Sequence, residues 1–105
     1  MRFVETPVFT EEITTLLADD EYRRLQVALC LRPEQGALIP GSGGLRKVRW
    51  AATGRGKRGG VRIIYYWRPP DQVCYMLYAY AKSAKGDLTA AQVKQLRRIV
   101  RKEFP

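Results

Sequence analysis

The sequence contains no histidine. That absence removes Ser-His-Asp and Cys-His nucleophile systems, histidine metal sites and the histidine acid/base pair of many ribonucleases, so any catalysis must run on Lys, Arg, Tyr or carboxylate. Cysteine is scarce as well. Cys30 and Cys74 both sit in apolar runs without metal-ligand spacing, which predicts two buried, reduced thiols. No apolar run approaches the roughly 20 residues that cross a bilayer. The opening MRFVETPVF also lacks the sustained apolar segment of a signal peptide, so the sequence predicts a cytosolic chain.

Charge is missing unevenly. Up to Leu45 there is no lysine, and four arginines face seven acids, a balance of −3. From Arg46 onward fifteen lysines and arginines face only Asp71, Asp87 and Glu103, a balance of +12. Such a half-chain calls for an anionic partner. Nucleic acid is the commonest for a cytosolic protein, although an acidic protein or a membrane surface satisfies the same electrostatics.

What is present fits one ordinary domain spanning residues 1–105, long enough to bury a core without disulfides. Hydrophobic residues at 46% and charged residues at 28% are proportions of a soluble globular chain rather than a disordered one. The centre of the sequence carries the clearest pattern. Leu45 to Ala51 and Val61 to Arg68 are rich in β-branched and aromatic residues, and a cluster of glycines and cations separates them, which predicts a β-hairpin with a long loop. Alternation places Val48 and Trp50 on one face with Val61, Ile63, Tyr65 and Trp67. Lys47, Arg49 and Arg62 then converge on the other face, a three-cation patch without acidic partners.

Around that hairpin the chain reads as a short strand over Arg2 to Thr6, then a helix from about Thr10, as N-cap, to Ala18. A second helix capped by Asp19 or Asp20 turns Tyr22, Leu25 and Leu29 inward and stops at Arg32-Pro33. Residues 33–44 are loop in composition, with Leu38 and Ile39 against the sheet. Pro69, Pro70 and Asp71 make a turn before Val73 to Tyr80, which is apolar on both faces and predicts a buried, central strand. Thr89 and Gln92 have the spacing of a capping box, opening a last helix with Val93, Leu96, Ile99 and Val100 inward.

Two phosphate-binding patterns fail. Gly56-Lys57 is followed by Arg58 instead of Ser or Thr, and Gly41-Ser42-Gly43 does not continue to a further glycine at the required spacing. The loop cations Arg55, Lys57 and Arg58 fit either a solvated hairpin tip or a mobile loop that closes over an RNA backbone. Tyr66 is the aromatic residue to watch as a stacking group, most of Tyr65, Trp67, Tyr75, Tyr78 and Tyr80 being core, as aromatics in strands usually are.

The passages GGLRKVRWA, GRGKRGGVRIIYYW and YAKSAKGDLT, in that order and with their flanking helices, resemble the RelE/HigB superfamily of bacterial toxins, most closely its HigB-like branch. The resemblance implies an α+β fold with a short N-terminal strand, a helical hairpin, an antiparallel sheet and a C-terminal helix. It further implies a ribosome-dependent mRNA endoribonuclease that cuts in the ribosomal A site by attack of a ribose 2′-OH on the neighbouring phosphodiester, with no metal or other cofactor. The partners it implies are the ribosome, mRNA and a helix-turn-helix, HigA-like antitoxin, and no membrane.

Carried over by position, the catalytic set implied by the resemblance is Lys47, Arg49, Arg62 and Lys82. Lys47 takes the place of a general base whose pKa crowding by Arg49 and Arg62 would lower. Arg62 stabilises the phosphorane. Lys82 touches phosphate or protonates the leaving 5′-oxygen. Arg46, Arg55, Lys57 and Arg58 contact RNA. This chain has Ser83 where RelE has an arginine, and no tyrosine after Tyr80, which leaves Lys85 and Tyr66 as substitutes. Two other functions remain open: a non-catalytic RNA- or ribosome-binding module, and a chain acting mainly as part of an antitoxin complex.

Overall fold

Strict alternation along one strand divides this protein into two cores. A computed structural model describes residues 1–51, 60–84 and 86–103. Its elements run β1 (Arg2–Glu5), α1 (Pro7–Leu16), α2 (Asp19–Leu31), β2 (Ala37–Leu38), β3 (Arg46–Trp50), β4 (Val61–Arg68), a 3-10 turn (Pro69–Asp71), β5 (Val73–Ala81) and α3 (Ala90–Glu103). The strands form one sheet in the order β1-β5-β4-β3-β2. Among the described residues no helix is long and apolar enough to cross a membrane.

β4 is the dividing strand. Val61, Ile63 and Tyr65 look toward α1 and α2, where they join Phe9, Ile13, Leu25, Leu29, Val48, Cys74, Met76 and Ala79. Ile64 looks the other way, into a second core made with Leu45, Leu77, Tyr80 and the α3 residues Leu96 and Val100. Burying each such aliphatic side chain contributes roughly 1.5–3 kcal/mol, so α3 is held chiefly by this contact. A register shift in the β4–β5 ladder between Ile64 and Tyr65 explains how β5 serves both cores. Cys74 and Met76 face α1 and α2 before the shift, as Ala79 does after it, although their sequence parity differs.

The expected register is the one observed, with Val48 opposite Ile63 and Trp50 opposite Val61. Other expectations need correction. β1 pairs β5 in parallel, making the sheet mixed; no tight turn joins these strands, so nothing forces an antiparallel pair. β5 is interior, but β4 occupies the middle of the order. β2 forms inside the expected loop by pairing Ala37 and Leu38 with Lys47 and Arg46. Leu38 is exposed, whereas Ile39 packs on the α3 core.

The first helix starts earlier than its acids suggest. Thr6, not Thr10, is its N-cap; Thr6 Oγ1 accepts from the Phe9 N–H at 3.0 Å and donates to the Leu77 carbonyl at 2.8 Å. Pro7 opens the helix, where its missing N–H costs nothing. Ala18 caps α2 without a side-chain bond, leaving Asp19, Asp20 and Glu21 in its positive first turn. Cys30 is exposed rather than buried. Cys74 is buried, and desolvation first, then the neighbouring Cys30, pushes its thiol up to about 12.

One tether fixes the hairpin against the rest of the chain, and one glycine fixes its base. The buried Tyr65 hydroxyl accepts from the Gly36 N–H at 2.9 Å and donates to the Pro33 carbonyl at 2.7 Å, joining β4 to the segment leaving α2. At the other end of β4, Gly60 has φ +59, and a Cβ there would stand 2.4 Å from the Trp50 carbonyl oxygen. Only glycine closes the hairpin base in this form.

Candidate active site

The β3–β4 ladder places Arg49 directly opposite Arg62, and the β4–β5 ladder places Arg62 opposite Tyr80. One row therefore crosses three strands as Arg49, Arg62, Tyr80. The next row on the same face is Lys47, Ile64, Tyr78, about 7 Å along the strands. α3 lies over the β5 side of this face through Ile64, Leu77 and Tyr80, while Lys47 is half-buried and Arg49 exposed on the β3 side. Arg62, between them, is only 4% exposed.

The turn after β5 brings a further cation and an acid to the same place. The Lys82 N–H donates to the Gly60 carbonyl at 3.1 Å, which ties the end of β5 to the hairpin base. Leu88 then inserts into the α3 core, and the capping box closes around it: Gln92 N–H donates to Thr89 Oγ1 at 3.1 Å, and Thr89 N–H donates to Gln92 Oε1 at 2.9 Å. With Leu88 and Thr89 fixed, Asp87 is held over the sheet. Its carboxylate accepts from Lys47 Nζ at 3.0 Å. The hydrogen bond and charge of Lys47, then the charges of Lys82 and Arg62, hold the Asp87 carboxyl below the usual carboxylate range. The cation patch thus has an acidic partner, contrary to the expectation from alternation alone.

The Tyr80 hydroxyl, opposite Arg62 in the sheet, is buried and has no hydrogen-bond partner among the described residues. Burial raises its pKa, with Asp87 acting in the same direction and Arg62 against it. A buried hydroxyl without a partner among the described residues, within electrostatic reach of a guanidinium and a carboxylate, is a costly feature for a purely structural surface.

The structure brings together Lys47, Arg49, Arg62 and Lys82 at one end of the sheet and adds Asp87, which the sequence did not single out. Its signal was present: Asp87 is one of three acids in a half-chain of fifteen cations. Its partner is forty positions away, however, and no local pattern joins them. Arg46 is placed elsewhere. It lies on the opposite face of β3, where its guanidinium donates to the Glu34 and Gly36 carbonyls at 3.1 and 2.8 Å and pairs with the Glu34 carboxylate at 3.3 Å. That arrangement anchors the segment after α2 instead of presenting a charge to RNA. Tyr66 is half-buried on the α3 core, its ring close against Gly44. Arg55, Lys57, Arg58 and Lys85 lie outside the described residues.

The family sequence model described as the RelE toxin of the RelE/RelB toxin-antitoxin system matches residues 32–104. The fold is similar to a solved structure of E. coli toxin RelE, a double arginine-to-alanine mutant in the free state, with a TM-score of 0.58 and 13% identity over 99% of this chain and 97% of that one. At such identity the structural likeness speaks to the fold alone. The match to the family model takes in most of the chain, including the hairpin strands, β5, the Lys82–Asp87 turn and α3, and on that ground the chain belongs to the RelE toxin family.

Proposed function

We propose that this protein is a ribosome-dependent endoribonuclease toxin that cleaves mRNA in the A site and is neutralised by a cognate helix-turn-helix, HigA-like antitoxin. The observation that carries this reading is the convergence of Lys47, Arg49, Arg62 and Lys82 on one end of a sheet in a RelE-family chain. An RNA phosphodiester lying on this face meets cations held by paired backbone, which is the positional accuracy that catalysis requires. Arg62 serves the developing phosphorane charge, because its planar fork matches two phosphate oxygens and it never deprotonates. Arg49, exposed beside it, guides and holds the backbone. Lys82 stands at the exit of β5 as the donor to the leaving 5′-oxygen, and Arg55, Lys57, Arg58 and Lys85 add attraction for the RNA and ribosome. The chemistry is attack of the 2′-oxygen on phosphorus with departure of the 5′-oxygen, leaving a 2′,3′-cyclic phosphate and a 5′-hydroxyl.

The test is primer extension on messages translated in a purified system with and without the protein. New 5′ ends at A-site codons, absent when ribosomes are omitted, are the expected result. Salt-dependent RNA binding without new 5′ ends refutes the enzyme and favours a non-catalytic RNA- or ribosome-binding module.

A further inference from the structure

The proposed cleavage needs an acceptor for the 2′-OH proton. The chain has no histidine, arginine does not deprotonate in proteins, and an ordinary lysine is neutral in only about one molecule in a few thousand at pH 7. Position in the family pattern points to Lys47, but the structure gives Lys47 a carboxylate partner at 3.0 Å. A lysine paired in this way offers its protons to an anion and has no lone pair to offer a hydroxyl.

Asp87 has the opposite properties. Its side chain is 77% exposed, so a ribose can reach it. One carboxylate oxygen receives Lys47, and the other makes no hydrogen bond among the described residues. Leu88 in the α3 core and the Thr89–Gln92 capping box hold the backbone behind it. Among the described residues, the charged and titratable groups acting on it are Lys47 from β3, Arg62 from β4, Tyr80 from β5 and Lys82 from the turn. We propose that Asp87 is the general base of the reaction, with Lys47 as the phosphate-binding cation that orients it.

This inference rests on the ribonuclease reading. In the step, the 2′-O–H bond breaks and its proton passes to the free oxygen of the Asp87 carboxylate. The 2′-oxygen forms its bond to phosphorus, the bond from phosphorus to the 5′-oxygen breaks, and that oxygen takes a proton from the Lys82 ammonium. Solvent exchange then returns Asp87 and Lys82 to their starting states. An incoming phosphate competes with Asp87 for Lys47, which swings the carboxylate toward the adjacent ribose. The Asp87 charge also repels RNA, so its removal does not weaken binding.

The experiment is single-turnover cleavage on programmed ribosomes at saturating protein, from pH 6 to 8.5, for the parent, Asp87→Asn and Asp87→Glu, with association measured in parallel. A carboxylate base held below the usual range is already ionised throughout this window, so the parent rate should change less than about threefold. A lysine base would raise the rate about tenfold per pH unit. Asp87→Asn should lose about a hundredfold or more in rate, without weaker association, and its residual rate should climb with pH; Asp87→Glu should recover part of the loss. A parent that cuts while Asp87→Asn keeps within tenfold of it, or a parent rate rising tenfold per unit, overturns this inference alone. A parent that cuts nothing refutes the ribonuclease reading and this inference with it.

Discussion

Arg49 and Arg62 are direct cross-strand partners of like charge, one exposed and the other 4% exposed. Like charges placed opposite each other on a sheet are destabilising by a few tenths of a kcal/mol up to about 1. Arg49→Gln should therefore leave the protein as stable as the parent or slightly more so in urea unfolding, while weakening its association with RNA. A loss of stability above about 1 kcal/mol would mean that Arg49 serves the fold and not the ligand.

The Tyr65 hydroxyl satisfies a buried N–H and a carbonyl at once. Tyr65→Phe keeps the ring but orphans the Gly36 N–H, and should cost about 1–3 kcal/mol in chemical denaturation with little change in the m-value. A neutral outcome would mean that water reaches Gly36.

Gly60 closes the hairpin immediately before Arg62. Gly60→Ala forces a Cβ against the Trp50 carbonyl at a positive φ, which should lower stability by about 1–3 kcal/mol. Because Gly60 also accepts from the Lys82 N–H, cleavage should fall by more than the folded fraction does. Activity that tracks the folded fraction alone would separate the hairpin base from the site.

How far these features were legible in the sequence depended on whether their cause was local. The bounds of β4, the face shared by Lys47, Arg49 and Arg62, and the Thr89–Gln92 box follow from alternation and from a three-residue spacing. The helix start at Thr6 was obscured because Thr10 followed by Glu11 and Glu12 imitates a capped first turn, whereas the actual cap also bonds to Leu77 across the fold. β2 has no strand composition and exists because β3 offers it an edge. Cys30 lies in an apolar run yet points outward, since helical spacing, not run length, decides its exposure. The Lys47–Asp87 pair joins residues from two distant segments and was invisible for that reason.

The Asp87 carboxyl should titrate below the ordinary aspartate midpoint of about 3.9, as followed by the NMR shift of its carboxyl carbon. A depressed folded-state pKa contributes stability above the unfolded-state value and loses it as pH falls through the folded-state value. The stability difference between parent and Asp87→Asn should therefore be present at neutral pH and fade below about pH 4. High salt should reduce it, because the pair is open to solvent. A midpoint at or above the ordinary value would show that Lys47 does not hold Asp87 in solution.

The central claim is that chemistry resides on the paired strands and the turn that follows β5, and attraction in the loop between β3 and β4. Its most direct test is single-turnover cleavage at saturating ribosome, with association measured separately, for Arg62→Ala and for a variant neutralised at Arg55, Lys57 and Arg58. Arg62→Ala should bind nearly as the parent does and cut about a hundredfold more slowly or worse. The loop variant should bind more weakly, with a shallower salt dependence, and cut within about tenfold of the parent rate once bound. A loop variant that binds normally and fails only in the cutting step, or a folded Arg62→Ala protein that cuts at the parent rate, would contradict the account.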